Sequence, residues 1–281
     1  MPELPEVETT RRGIEPWLVG QRMVNWEVRN DSLRWPVDIP KQLKNSRVDG
    51  VSRRGKYLLI RHHLGTQIIH LGMSGSLRIL DQNTPHKTHD HVDILFSNGK
   101  CLRYNDPRRF GCVLFQKGDE VEQHPLLKEL GVEPLGNEFT ADTLFLKSRR
   151  RRLAVKNFVM DSKVVVGVGN IYASEALFMA GIRPGTAAGR IPRHAYEVLK
   201  NAIVKVLRRS VEQGGTTLRD FVDSDGQPGY FKQQLNVYGR VDEPCRICNS
   251  VIKMQVIGQR SSFYCPKCQS SQKFVKPAVL E

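Results

Sequence analysis

From the N-terminus to about residue 130, apolar residues fall in short runs that often alternate with polar ones. Val24-x-Trp26-x-Val28, Tyr57-Leu58-Leu59-Ile60, Ile68-Ile69-His70-Leu71, Val92-x-Ile94-x-Phe96 and Val113-x-Phe115 are rich in β-branched and aromatic residues. Gly, Asn, Asp or Pro separates most of them, and such short punctuated runs predict strands of a sandwich or barrel. A short helix from Pro5 to Ile14 is expected before them, with Glu6 and Glu8 in its first turn and Arg11 and Arg12 in its last. That charge order suits the helix dipole. Beyond about residue 140 the period lengthens to that of a helix. Val198, Leu199, Ala202, Ile203, Val206, Leu207 and Val211 form one apolar stripe after Pro192, closed by Gly214-Gly215. Asn170 is placed to cap a helix running to Ala180, with Gly181 as its left-handed stop. The pattern is that of an α+β chain.

The stretch from Gly214 to Tyr230 has no period and is rich in Gly, Asp, Thr and Ser, which predicts a loop, and the residues after Cys268 read as a tail. A chain of 281 residues accommodates one large domain or two ordinary ones. No apolar run approaches the roughly 18 residues of a membrane helix. The opening Met1-Pro2-Glu3-Leu4-Pro5-Glu6-Val7-Glu8 is acidic where a signal peptide is basic and then apolar, so a cytoplasmic location is expected.

Charge changes the picture. There are 43 Lys and Arg against 29 Asp and Glu, a net +14 with neutral histidines. The bases cluster: Lys147 to Lys156 holds six and no acid, and Arg53-Arg54-Lys56, Arg108-Arg109 and Arg208-Arg209 form further groups. Clustered positive charge points to a polyanionic partner, nucleic acid first among them.

Cysteine spacing adds a metal. Cys245-x2-Cys248 and Cys265-x2-Cys268, sixteen residues apart, are two knuckles able to close a tetrahedral thiolate shell around one Zn²⁺. With all four positions filled by protein the site is structural. Val251 to Val256 and Ser262 to Tyr264 read as a β-hairpin between the knuckles. Cys101 and Cys112 sit in apolar strands as inert thiols. His86, His89 and His91 with Asp90 and Asp93 alternate along a strand, which disfavours convergence on a second metal. Gly167-Val168-Gly169-Asn170 lacks the third glycine of a dinucleotide fingerprint and reads as a turn opening a helix, able to present N–H groups to a phosphate.

The N-terminus carries candidate chemistry. Removal of Met1 before the small Pro2 would expose a secondary amine. An α-amino group with a pKa of about 7.7–8.0 is far more often unprotonated at neutral pH than a lysine at about 10.4. A free amine attacks a sugar C1′ or a carbonyl to give an iminium, and Glu3 beside it is a candidate acid–base group.

Pro2-Glu3-Leu4-Pro5-Glu6-Val7-Glu8-Thr9, Arg54-Gly55-Lys56-Tyr57-Leu58, His70-Leu71-Gly72-Met73-Ser74-Gly75, Asp106-Pro107-Arg108-Arg109-Phe110-Gly111 and Val166 to Glu175 stand in that order, followed by the four-cysteine finger. In these motifs the chain resembles the bacterial formamidopyrimidine-DNA glycosylases. The resemblance implies an N-terminal β-sandwich over residues 1–135, a helix–two-turn–helix module with a lesion loop over 136–234, a zinc finger over 235–269 and a tail over 270–281. It implies excision of oxidised purines (8-oxoguanine opposite cytosine, formamidopyrimidines) from double-stranded DNA, followed by strand cleavage through β,δ-elimination. By this resemblance Pro2 is the nucleophile, Glu3 the acid–base group with Glu6 in support, and Lys56 a contact to lesion and phosphate. Asn170 and Arg260 grip the phosphates around the flipped nucleotide, and His89, Arg109 and Lys156 are further DNA contacts. Met73, Arg108 and Phe110 fill the gap left in the duplex, and the loop from Arg219 to Tyr230 closes over the extruded base. One structural Zn²⁺, a monomer, and neither membrane nor obligate protein partner complete the expectation. Ser162 stands where the family usually has an amide and Arg219 where close relatives have lysine. Two other readings are an endonuclease VIII-like glycosylase for oxidised pyrimidines, against which Arg108 and Phe110 speak, and a non-catalytic zinc-ribbon protein, against which Pro2, Glu3 and Lys56 speak.

Overall fold

The computed structural model describes residues 2–214 and 234–270. Met1, the expected lesion loop from Arg219 to Tyr230 and the tail beyond residue 270 lie outside the described residues. The chain divides into two units, Met1–Glu129 with Val211–Lys232 and Leu130–Ser210 with Gln233–Glu281.

The first unit opens with α1 (Leu4–Leu18). Eight strands follow: β1 (Met23–Val28), β2 (Val48–Arg54), β3 (Tyr57–His62), β4 (Gly65–His70), β5 (Ser76–Asp81), β6 (Asp90–Phe96), β7 (Lys100–Asn105) and β8 (Cys112–Lys117). They form two antiparallel four-stranded sheets, ordered β1-β6-β7-β5 and β2-β3-β4-β8. One apolar core draws on both sheets, with Ile94, Phe96, Leu102 and Tyr104 from the first and Leu58, Ile60, Ile69 and Val113 from the second. Val7, Ile14 and Leu18 of α1 complete it. This is the expected sandwich.

Three strands, β2, β5 and β7, were not visible as apolar runs because their outer faces are charged. In β7, Arg103 forks onto Asp93 of the neighbouring β6 at 2.8 and 2.7 Å, and Arg29 reaches the same carboxylate at 2.8 Å. Burial pushes the Asp93 carboxyl up, but the two guanidinia outweigh it and hold it below its usual range. β1 also departs from expectation: a bulge between Met23 and Asn25 turns Met23 into the core and leaves Val28 largely exposed.

α1 runs past the expected end at Ile14. A residue before proline disfavours the helix, yet Pro16 lies inside α1 because burial of Ile14 and Leu18 outweighs that preference. Arg11 and Arg12 are therefore mid-helix, where both pair with Glu8 at 3.0 and 2.9 Å. Arg53 of β2 also reaches Glu8, at 3.3 Å, and ties the helix to the sheet.

The second unit contains α2 (Ala141–Ser148), α3 (Val155–Met160), α4 (Asn170–Met179) and α5 (Arg193–Glu212, ending across the unit boundary), then the hairpin β9 (Lys253–Ile257) and β10 (Arg260–Tyr264). Between α3 and α4 the backbone makes two turns, one closed by Val164 N–H donating to Asp161 O at 2.9 Å and one at Gly167 with φ +79°. Gly181 stops the α4 segment in the left-handed region, as expected. The N-cap of α4 is Gly169, not Asn170, which is the first residue of the helix and donates its amide to Ser261 O. Among the described residues no helix is long and apolar enough to cross a membrane.

Glu175, on α4, is 1% exposed, and its carboxylate accepts four hydrogen bonds. They come from the backbone N–H groups of Asn236, Val237 and Tyr238 and from the Asn236 amide, at 2.8 to 3.0 Å. Each buried donor left unmatched costs about 1–3 kcal/mol. Glu175→Ala should destabilise the second unit by about 3 kcal/mol or more in denaturant unfolding. A loss below 1 kcal/mol would mean that water replaces the carboxylate.

Candidate active site

The expected site residues fall into two groups, one in each unit. In the first unit Pro2 is buried at the start of the chain, directly before Glu3, the N-cap of α1. A reciprocal capping box holds Glu3: its carboxylate accepts from the Glu6 backbone, and Glu6 Oε2 accepts from Glu3 N–H at 2.8 Å. Pro5 in the first turn sacrifices no helical hydrogen bond. Both carboxylates are almost completely buried.

Lys56 stands in the two-residue turn joining β2 and β3, opened by Gly55 at φ +57°. The next residue, Tyr57, pairs with His70 in the sheet, and their rings lie 4.7 Å apart. Burial pushes His70 down to a pKa of about 4, with the Lys56 ammonium and then Arg34 adding to the effect and Asp106 opposing it. The imidazole is thus neutral, and Nδ1 accepts from Gly72 N–H at 3.0 Å.

Gly72 begins the turn that carries Met73. That turn and the 107–111 loop are locked together by Asp106, which is fully buried. Its Oδ1 accepts from Ser74 Oγ at 2.9 Å, and its Oδ2 accepts from Gly111 N–H at 2.9 Å and Tyr104 O–H at 3.1 Å. Ser74 Oγ in turn accepts from Arg108 N–H at 3.3 Å. Asp106 backbone atoms reach a third loop: its N–H donates to His89 O at 3.1 Å, and its carbonyl lies 2.9 Å from His91 Nε2. Gly72 has φ +63°, and a Cβ there would lie 2.5 Å from Gly111 N. One aspartate, through its carboxylate and its backbone, thus gathers the segments of five expected residues, Met73, His89, Arg108, Arg109 and Phe110. Met73 and Phe110 are 36% and 45% exposed, unusual for large apolar side chains beside a core, and the Arg108 guanidinium sits 5.0 Å from the Phe110 ring centre. Of the other members of the histidine and aspartate cluster, His91, Asp90 and Asp93 are buried and engaged internally, as in the Arg78–Asp90 ion pair at 2.6 Å, and His86 is exposed. Cys101 and Cys112 are buried, with burial pushing their thiols up to about 12 and about 11.

In the second unit three expected residues meet on β10. Asn170 Nδ2 donates to Ser261 O at 3.1 Å and Lys156 Nζ donates to the same carbonyl at 2.9 Å. Arg260, next along β10, is exposed beside the Gly258-Gln259 turn. Lys156 departs from expectation: it is fully buried, with Nζ also donating to Ser262 Oγ at 2.7 Å, so it anchors the hairpin from beneath rather than facing outward. The four cysteines bring their sulfurs within 4.8 Å of one another. Cys245 and Cys268 sulfurs are 3.8 Å apart, the separation that Zn–S bonds of about 2.3 Å impose on a tetrahedron. The site fits one structural zinc held by Cys245, Cys248, Cys265 and Cys268, and the hairpin packs its knuckles on Phe178, Val237 and Ile252.

Three family models match consecutive stretches: the formamidopyrimidine-DNA glycosylase N-terminal domain over residues 1–113, its H2TH domain over 130–222, and the zinc finger found in FPG and IleRS over 242–270. The formamidopyrimidine-DNA glycosylase of Yersinia enterocolitica is 58% identical over 270 residues, covering 96% of this chain and 100% of its own. The chain belongs to the formamidopyrimidine-DNA glycosylase family. Among solved structures it is similar to the Lactococcus lactis Fpg in complex with an abasic site containing DNA, with TM-score 0.89 and 31% identity, covering 96% of this chain and 100% of that one. It is also similar to a MutM in complex with carbocyclic 8-oxo-G containing DNA, with TM-score 0.88 and 32% identity at the same coverage.

Membership gives the Asp106 cluster its context. Asp106, Ser74, Tyr104 and Glu175 were missed as organisers in the sequence, although each lies in or beside a quoted motif. The available signal was an aspartate followed by proline in a loop otherwise made of exposed charges.

His70 supplies a pH test. Its folded pKa lies below the unfolded value of about 6.5, so the unfolded chain takes up the proton first and stability falls as pH drops from about 6.5 to about 4. Between pH 7 and pH 5 the wild type should lose about 2 kcal/mol more than His70→Gln in urea unfolding. Parallel pH profiles would remove the assignment of a neutral, buried imidazole.

Proposed function

We propose that this chain excises oxidised purines from duplex DNA with the amine of Pro2 and then cleaves the strand. The observation that carries the reading is the placement of Glu3, a buried carboxylate fixed by the Glu6 capping box directly beside Pro2. With Met1 removed, the Pro2 nitrogen attacks C1′ of the extruded nucleotide as the bond from C1′ to the base breaks and the base leaves with a proton. Glu3 passes a proton to the sugar ring oxygen as the ring opens to the iminium. The iminium acidifies C2′–H, so loss of that proton expels the 3′ phosphate. A second elimination expels the 5′ phosphate. Lys56 contacts lesion and phosphate, and Asn170 and Arg260 grip the phosphates around the flipped nucleotide. His89 and Arg109 contact the backbone, while Lys156 is a positioning residue that acts through Ser261. Zinc, with all four ligands supplied by protein, holds the finger that carries Arg260. The working division is 1–135, 136–234, 235–269 and a tail over 270–281. The enzyme acts as a monomer in the cytoplasm.

Borohydride reduction on abasic-site duplex DNA tests the nucleophile. The processed enzyme should become irreversibly linked, whereas Pro2→Gly or a form retaining Met1 should lose most excision and trapping. Undiminished trapping in the Met1-retaining form would transfer the role to another amine such as Lys56.

Extruding a lesion leaves its partner base unpaired in the stack, and wedge residues refill the hole. Arg108 is a pure donor. Cytosine offers O2 and N3 as acceptors on its pairing edge, whereas adenine sets a donor amino group beside its ring acceptor. A good bidentate contact discriminates by about 1–3 kcal/mol, so excision of 8-oxoguanine should favour cytosine over adenine opposite by about ten-fold. Arg108→Ala should lose much of that preference. Equal excision opposite both bases in wild type would favour the endonuclease VIII-like reading.

A further inference from the structure

The run from Arg149 to Arg152 has no part in the chemistry above, yet it borders a cavity of about 1020 Å³ in the second unit. The lining includes Arg150, Arg151, Arg152, Arg183, Arg190 and Gln255, and it contains neither an acidic nor an aromatic residue. We propose that this cavity is a second DNA-binding site, which takes a stretch of duplex phosphate backbone outside the nucleotides gripped by Asn170 and Arg260. The inference rests on the reading of the chain as a DNA enzyme.

Backbone hydrogen bonds build the site. Ala188 N–H donates to Leu153 O at 2.8 Å, Gly189 N–H to Arg151 O at 2.9 Å and Val155 N–H to Thr186 O at 2.7 Å, so the arginine loop is zipped to residues 186–189. A Cβ at Gly189 would stand 2.9 Å from Arg151 O, which makes glycine a condition of that approach. Arg150 is held at φ +62°, a conformation rare for a residue with a side chain.

The arginines then divide by role. Arg149 turns inward, donating to Phe145 O and Ile191 O at 3.0 and 2.8 Å, and is absent from the lining. Arg183 donates to Tyr264 O–H at 3.0 Å and Arg151 lies 3.6 Å from Asp161. Arg150, Arg152 and Arg190 are exposed and have no carboxylate partner among the described residues. Gln255 of β9 pairs with Ser262 of β10, two residues from Arg260 and so about 7 Å along the strand. The cavity therefore borders the same hairpin as the phosphate-gripping residues. It lacks the aromatic platforms on which single-stranded bases usually stack, and its lining of donors favours the sugar–phosphate backbone over unpaired nucleotides.

The test is the salt dependence of binding to undamaged duplex, measured for wild type, for Arg150→Ala/Arg152→Ala/Arg190→Ala and for a control, Lys41→Ala/Lys44→Ala/Arg47→Ala, that removes the same charge from the first unit. With a log–log slope near −0.9 per neutralised phosphate, the cavity variant should flatten the slope by about two to three units. The control should leave it nearly unchanged, and single-turnover excision at saturating enzyme should match wild type in both. An unchanged slope in the cavity variant, or equal flattening in the control, would overturn the proposal. Calorimetric binding of tripolyphosphate that the cavity variant abolishes without altering the duplex slope would also overturn it, by assigning the site to free oligophosphates. Failure of the catalytic reading would look different: wild type itself would neither excise nor cross-link.

Discussion

The surface that distinguishes this molecule depends on one buried carboxylate. Asp106 ties three loops of the β-sandwich together: its carboxylate binds Ser74 and Gly111 in two of them, and its backbone N–H and carbonyl bind the loop of His89 and His91. Everything presented above it, a thioether, a guanidinium and a phenyl ring at Met73, Arg108 and Phe110, is exposed and has little packing of its own. The rigidity of those tips is borrowed from the aspartate below.

The same economy governs the other acids. Glu3, Glu6, Asp90, Asp93 and Glu175 are also buried. Each closes a backbone or guanidinium network: a helix start, a strand face, the segment from Asn236 to Tyr238. Because so many carboxylates are turned inward, the solvent-facing surface is more positive than the sum of +14 conveys. A polyanion meets arginines that few acids neutralise, while the fold is held by acids that, Glu3 apart, are turned away from it.

The sequence made the sandwich, the α4 and α5 helices and the metal site legible for a shared reason: each is a periodic or spaced pattern of one residue class. Ile94 and Phe96, the stripe from Val198 to Val211 and the two cysteine knuckles all carry their meaning locally. β2, β5 and β7 escaped notice because their charged residues pair with neighbouring strands or, for Arg53 of β2, with Glu8 of α1, which no linear pattern reveals. The end of α1 was misplaced since tertiary burial of Leu18 overrode a local proline rule. For the site, residue identities were legible but their supports were not: Lys156 looked like one more base in a basic run, and only the fold turns it under β10. Asp106 joins Ser74, 32 positions away, to its own loop, and Glu175 owes its role to partners 61 to 63 positions away.

The close approach of Gly72 to Gly111 has a consequence for how such a surface diversifies. Neither loop has room for a Cβ at that point, and a Cβ at Gly111 would also run into the Tyr104 hydroxyl. The two loops, Tyr104 and Asp106 therefore form a module that is inherited or transplanted whole. Variation is confined to the three side chains at the rim. An enzyme engineer seeking a new opposite-base preference would exchange those tips, whereas grafting either loop alone from a relative would break the joint on which the tips stand.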